Sequence, residues 1–307
     1  MHDDHFMSYR EQNIPITRDE VTALFTSISS ESVGINEPYI FHPSEHQRTP
    51  LFIFDLDDTI WHHVRHFIRA VGEATGKPVS LEYYRKFGNS REVPEWKNDS
   101  KAMAIHDKIV QCKHPRYLPF VGQAHDGAVE VIDALADRKF PFVYLTSRPE
   151  ELYQVTQDTL RWNKLPVNNN QHAPGDPSSD LFLQSGSVFY GKGIPMNGIP
   201  YKKNVVDSWE ARMQKEGWRG QIVVVDDLLG SFRECLQAEK IIGIALEGDV
   251  NAARAKLPGE KRVPSWETIG HMFDSISDAS KNSRWFHIGL SYGDTSTPQA
   301  CGKTTGL

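Results

Sequence analysis

Apolar runs that stop abruptly in polar clusters organise this 307-residue chain. The first is Leu51-Phe52-Ile53-Phe54. An unbroken run of this length reads as a strand covered on both faces, as in a parallel sheet, where alternation is not required. Residues 140–145 form a second run, Ile222-Val223-Val224-Val225 a β-branched third, and residues 241–246 predict a fifth strand. Between the runs the apolar spacing becomes helical. Val64, Phe67, Ile68 and Val71 make one stripe, and Ala102, Ile105 and Ile109 another, with Gly76-Lys77-Pro78 and Pro94 between them. Val129, Ile132 and Ala136 make a third, and Leu152, Val155, Thr159 and Leu160 a fourth. Val205, Val206, Trp209 and Met213 make a stripe ended by Gly217, and Ile269, Met272, Phe273 and Ile276 a last one. Near the start, Thr17-Arg18-Asp19-Glu20 is a capping box before Val21, Leu24, Phe25 and Ile28, which predicts a short amphipathic helix.

Strands alternating with helices define an α/β class with a Rossmann-like parallel sheet and helices on both faces. The expected division is an N-terminal extension over 1–49, an α/β core over 50–60 and 123–278, a helical insertion over 61–122, and a polar tail over 279–307. Residues 164–180, rich in Asn, Pro, Ser and Gly, predict a loop. Composition, 39% hydrophobic and 24% charged, is that of a globular protein. The net charge of −6 and the lack of a lysine/arginine run argue against nucleic acid as a main partner. Nothing approaches the length of a membrane span, and the N-terminus lacks the pattern of a signal peptide. Cys112, Cys235 and Cys301 are too few and too scattered for a disulfide or zinc framework, so a reducing, cytoplasmic setting is expected.

Chemistry enters where the first strand stops, at Asp55-Leu56-Asp57-Asp58-Thr59. In open α/β sheets the working crevice lies beyond the carboxyl ends of the strands. Three acids at that point repel one another unless positive charge offsets them, and a divalent cation does so directly. Asp55 and Asp57, two apart, can point to one side, which leaves Asp58 facing away. Acids also cluster in turns that only end a strand or cap a helix, so this cluster alone does not decide the matter.

Asp-x-Asp-x-Thr after an apolar strand resembles the first motif of the haloacid dehalogenase-like (HAD) hydrolase superfamily. The resemblance continues in order. The second run ends in Thr146-Ser147-Arg148-Pro149, similar to the hydroxyl-bearing second motif, with Thr146 preferred over Ser147 as the phosphate-binding residue. A lysine at a helix start follows, for which Lys203 is preferred over Lys202 and Lys192. The run 222–225 then delivers Asp226-Asp227, and Ser231-x-x-Glu234 reads as a capping box for the next helix. The resemblance covers roughly residues 50–245.

It implies a phosphatase-type HAD hydrolase with a C1-type helical cap at 61–122, acting through an aspartyl-phosphate. Asp55 would be the nucleophile and Asp57 the general acid/base, with phosphate held by Thr146, Ser147 or Lys203. Mg²⁺ would be held by Asp55, a backbone carbonyl near Asp57, and Asp227, with Asp226 in a supporting role. The expected substrate is a small phosphorylated metabolite, with a nucleotide among the candidates because Trp61, Trp96, Tyr83 and Tyr84 could stack on a base. Cap packing is the commoner use of such aromatics. A phosphotransferase with the same residues, or a catalytically idle binding protein, are the alternatives.

Three short patterns compete and lose. His42-Pro43-Ser44-Glu45-His46 has the spacing of an inverted zinc-peptidase motif, but Thr49-Pro50 and a strand follow at once and leave no sustained helix. His62, His63 and His66 include helical i,i+4 spacing, although polar helix residues are the commoner reading. Gly302-Lys303-Thr304 resembles the end of a phosphate loop, but Thr297 stands where glycine is needed.

Overall fold

In the computed structural model the described residues are 15–28, 41–118, 121–168, 185–191, 199–248 and 254–281. The expected tail beyond 281, most of the 164–180 loop, Lys192 and Cys301 lie outside them. Six strands, β1 (Leu51–Phe54), β2 (Phe142–Pro149), β3 (Ser187–Gly191), β4 (Ile222–Val225), β5 (Ile241–Leu246) and β6 (Glu260–Val263), form one sheet in the order β3-β2-β1-β4-β5-β6. Every pairing is parallel. The central β1 and β4 are buried at every residue, which is why their sequences do not alternate. Chain order runs outward from β1 through β2 to β3, then returns and runs outward from β4 to β6. That reversal between β1 and β4 opens a crevice above their carboxyl ends.

Successive side chains leave the sheet on opposite faces. Phe52, Phe54, Tyr144, Val223 and Val225 pack with Ile132 and Leu135 of α6 (Ala128–Asp137) and with Ile269 and Phe273 of α10 (Trp266–Lys281). Leu51, Ile53, Val143, Ile222 and Val224 face the other way, onto Val205, Val206, Trp209 and Met213 of α8 (Ile199–Lys215) and Cys235 and Leu236 of α9 (Arg233–Gln237). Burying each such side chain contributes roughly 1.5–3 kcal/mol, so the two layers hold the sheet rigid beneath the crevice.

The insertion forms α2 (Val64–Thr75), α3 (Leu81–Arg85), α4 (Pro94–Lys97) and α5 (Ser100–Val110). It has its own apolar cluster, including Phe67, Ile68, Val71, Tyr84, Trp96 and Ile109. Pro94 opens α4 at its first turn, where the missing N–H costs nothing. Ser80 and Asp99 cap α3 and α5. Trp96 is fully buried and donates Nε1–H to the Lys77 carbonyl at 3.0 Å. Against Phe67 of this cluster, the buried His106 ring meets Ser90 (2.8 Å) and the partly exposed Asp107 (3.0 Å), and the Ser90 contact ties α5 to the turn before α4.

The capping box forms as expected. Glu20 N–H meets Thr17 Oγ1 at 3.3 Å, and the Glu20 carboxylate accepts from Thr17 N–H at 3.0 Å. It opens α1 (Arg18–Ile28), whose Val21 packs with Leu118, Val121 and Leu152. The second capping box does not form. Residues 229–232 make a 3-10 turn and α9 has no side-chain cap. Pro149, which suits the first turn of a helix, is not placed in one. It is the last residue of β2, and a 3-10 turn (Glu150–Leu152) separates it from α7 (Tyr153–Trp162). β6, at a sheet edge, carries Glu260, Lys261 and Arg262 and no apolar run, whereas β3, at the other edge, carries only the short run Val188-Phe189-Tyr190.

Around residues 42–46 the chain makes a turn, with the His46 ring stacked on Phe41, so the zinc-peptidase spacing finds no helix. No helix among the described residues is long and apolar enough to cross a membrane.

Candidate active site

The register places Phe54 level with Tyr144 on one side and Val225 on the other. Asp55 and Asp226, each next in chain, therefore leave the sheet side by side at the crevice. Asp55 N–H is held by the Val225 carbonyl at 2.9 Å. Thr59 returns the loop to the sheet. Its Oγ1 accepts from Asp227 N–H at 2.8 Å, and its carbonyl accepts from Trp266 Nε1–H at 3.0 Å. The threonine of the first motif thus fixes the tip of β4 relative to the tip of β1.

Asp55, Asp226 and Asp227 are all buried, and each offers a carboxylate oxygen lying within 4.8 Å of the others. Among the described residues one ammonium enters this cluster, from Lys202, at 2.8 Å from Asp55 Oδ1 and 2.7 Å from Asp226 Oδ2. The expected lysine, Lys203, is elsewhere: its Nζ lies 2.6 Å from Asp207 and 3.6 Å from Glu234, on the outer side of α8. Helix geometry explains the correction. Lys202 precedes Val205, Val206 and Trp209 by three, four and seven residues, so it shares the face that packs on the sheet. Lys203 is rotated about 100° from that face, beside Asp207 at i+4.

Three carboxylates and one ammonium leave an excess of negative charge. Burial pushes Asp55 up to about 7, with Lys202 opposing and Asp226 and Asp57 adding to the rise. Burial and then Asp226 and Asp55 raise Asp227 well above the ordinary carboxylate range. Burial alone would lower Lys202, but Asp226 and Asp55 outweigh it and raise it. A buried all-oxygen donor set with surplus negative charge fits a hard divalent cation. Both oxygens of Asp226 are already engaged, by Lys202 and by Leu228 N–H at 2.7 Å.

Asp57 turns away from that cluster. Arg148 Nε donates to its Oδ2 at 2.8 Å and Nη2 to its Oδ1 at 2.5 Å, while Trp61 Nε1 donates to Oδ1 at 2.9 Å. Burial works to raise the Asp57 carboxyl, but the Arg148 guanidinium outweighs it and holds the group well below the usual range. Asp58 takes the left-handed conformation (φ 57°), which Asp tolerates. Its Oδ1 accepts from the N–H groups of His63 and Val64, each at 3.0 Å. It therefore joins the loop to the start of α2 rather than entering the acid cluster, and burial pushes it up to about 6.

Alternation along β2 separates the two hydroxyl candidates. Thr146 is buried, and its Oγ1 accepts from Arg148 N–H at 3.2 Å, which leaves the hydroxyl proton to donate elsewhere. Ser147, the next residue, is exposed. Trp61 and Trp96 are both fully buried and Tyr84 nearly so, which removes them as stacking surfaces for a base. Arg148 and the anchoring role of Thr59 are the site features that the sequence reading did not assign, and Lys202 is the alternative it ranked behind Lys203. A separate groove of about 320 Å³, between α6 and α10 and lined by Glu130, Arg138 and Asp274, shares no residue with the site.

No protein-family model and no curated protein matches the sequence. Solved structures do. A HAD-superfamily hydrolase from Ehrlichia chaffeensis matches at 12% identity, over 75% of this chain and 98% of its own, with a TM-score of 0.40. A HAD hydrolase of family IA, variant 3, from Entamoeba histolytica matches at 15% identity over 76% and 100%, with a TM-score of 0.38. CbbY from Rhodobacter sphaeroides, in complex with phosphate, matches at 12% identity over 72% and 96%, with a TM-score of 0.41. Similarity at this level extends to no residue role and no activity.

Proposed function

We propose that the chain is a Mg²⁺-dependent phosphomonoester hydrolase of HAD type, acting on a small phosphorylated metabolite through an aspartyl-phosphate on Asp55. The observation that carries the reading is the buried cluster of Asp55, Asp226, Asp227 and Lys202 at the reversal point of the sheet. Mg²⁺ would be held by Asp55 and Asp227, with Asp226 in support, and when bound supplies charge neutralisation on the phosphoryl oxygens.

The chain's own residues divide the remaining work. Lys202 holds Asp55 Oδ1, so Oδ2 is the oxygen presented to phosphorus, in line with the leaving group. Lys202 also offsets charge that the acids and the phosphoryl group would otherwise share. Thr146 donates its hydroxyl proton to a phosphoryl oxygen. Asp57, which Arg148 holds ionised in the free enzyme, relays to the leaving oxygen a proton taken from the monoanionic phosphate ester, and later takes one from the water that attacks the aspartyl-phosphate. Unaided phosphate monoester hydrolysis is so slow that these effects together must lower the barrier by on the order of 20 kcal/mol or more.

The test is hydrolysis of a panel of phosphate esters, p-nitrophenyl phosphate included, by the purified protein with Mg²⁺, beside Asp55→Asn. Mg²⁺-dependent release of phosphate by the wild type, abolished in the folded variant, is the expected result. A broad panel without turnover, or an active Asp55→Asn, overturns the reading.

A further inference from the structure

We propose that Arg148 is a positioning residue for the reaction, acting through Asp57 and not through the substrate; this rests on the phosphatase reading above. A planar guanidinium meets a carboxylate along two parallel N–H···O bonds, which fixes both the distance and the rotation of the acid. Here both prongs are made, Nε to Oδ2 and Nη2 to Oδ1, at 2.8 and 2.5 Å. The Arg148 side chain is 1% exposed and that of Asp57 is 23%, so the arginine lies behind the acid with the carboxylate toward the opening.

The arginine is itself held. Nη1 donates to Thr156 Oγ1 of α7 at 3.1 Å, and the guanidinium lies over the Trp61 ring at 5.0 Å from its centroid. Trp61 then closes the frame by donating to the same Oδ1. Gly122 packs against that indole so tightly that an added Cβ would lie 2.6 Å from Trp61 Cδ1. Oδ1 accepts two bonds and Oδ2 one, so Oδ2 keeps the greater free acceptor capacity and is the oxygen assigned to proton transfer. Arg148 also orients the phosphate site through its backbone, because its N–H occupies the acceptor side of Thr146 Oγ1. One residue of β2 thereby sets the acid/base and the hydroxyl donor together.

Lysine at 148 would keep the charge but lose the fork. A misplacement of about 1 Å in such a site costs on the order of 10²-fold. Arg148→Lys is therefore expected to lower kcat on an alkyl phosphate by roughly that factor while KM changes less than about two-fold. The deciding measurement is a double-mutant cycle. In an Asp57→Asn background the Arg148→Lys change is expected to have no further effect, because the group it positions is gone. Should Arg148→Lys not fold, Trp61→Phe, which removes the third bond to Asp57 and keeps a ring, carries the same cycle with the same expected signature. Additive losses in the cycle, or a raised KM with kcat kept, would mean that the arginine meets the substrate directly and would overturn the proposal. Absence of wild-type turnover overturns the phosphatase reading and this proposal with it, whereas turnover with an additive cycle removes only the positioning role.

Discussion

Asp55 and Lys202 meet at 2.8 Å in a place where neither could be buried alone, and that pairing concentrates the chemistry of the site. Its neighbour in sequence, Lys203, holds a partly exposed ion pair with Asp207 that solvent screens. The two lysines therefore make a sharp comparison. Lys202→Ala is expected to lower kcat on an aryl phosphate by on the order of 10²–10³-fold, as loss of a preorganised electrostatic group does. Lys203→Ala should stay within about two-fold of wild type. Steady-state kinetics of the two variants at saturating Mg²⁺ checks this, and equal losses would return the role to the pair as a whole. The choice was legible in the chain, since Lys202 and not Lys203 continues the stripe of Val205, Val206 and Trp209. Arg148 was legible in a weaker sense. It alternates with Thr146, so a β2 that continues past Leu145 puts both on one face; nothing short of the fold, however, brings Asp57 within reach across 91 residues of sequence.

Among the elements, the insertion is where sequence and structure diverge most in use though not in form. Its helices follow the apolar stripes, but Trp61 and Trp96, candidates for contact with a base, are interior. Aromatic spacing records that a ring is needed, not which side of it meets water. The sixth strand was hidden for a related reason: an edge strand is covered by fewer neighbours, so its sequence is free to be polar, as Glu260 and Arg262 are, paired with each other. A buried histidine in α2 gives this layer its own pH signature. Burial lowers the folded-state pKa of His66 from 6.5 to about 3, with His63, Arg69 and Arg65 acting in the same direction. The unfolded chain then binds the proton first as pH falls, so this stability is complete above about 6.5 and is lost on the way down toward 3. Between pH 7 and pH 5 the loss from this one group should be about 2 kcal/mol. Urea unfolding of wild type and His66→Gln at the two pH values measures it. The wild type should lose more by that amount, and parallel losses would show that His66 does not titrate this way.

At the scale of the whole molecule, the site follows from the order of the strands. The runs that become β1, β2 and β4 are apolar because each is covered on both sides, and the crevice exists because the chain reverses its outward course between β1 and β4. The fold class and the acids at its strand ends could be read from the sequence for that reason: burial writes itself into residue type. Contacts made across the crevice leave no such periodic trace, and these decide the chemistry. Asp57 faces Arg148, Asp58 caps α2, and only Asp55, Asp226 and Asp227 converge. The central claim is that Asp55 carries the phosphoryl group. Rapid mixing of the protein with p-nitrophenyl phosphate and Mg²⁺, followed by acid quench, borohydride reduction and peptide mass spectrometry, tests it directly. An aspartyl-phosphate is reduced to homoserine, so homoserine at position 55, absent without Mg²⁺ and without substrate, is the predicted result. Turnover of the ester with position 55 unmodified, or modification at Asp57 or Asp227 instead, would contradict it.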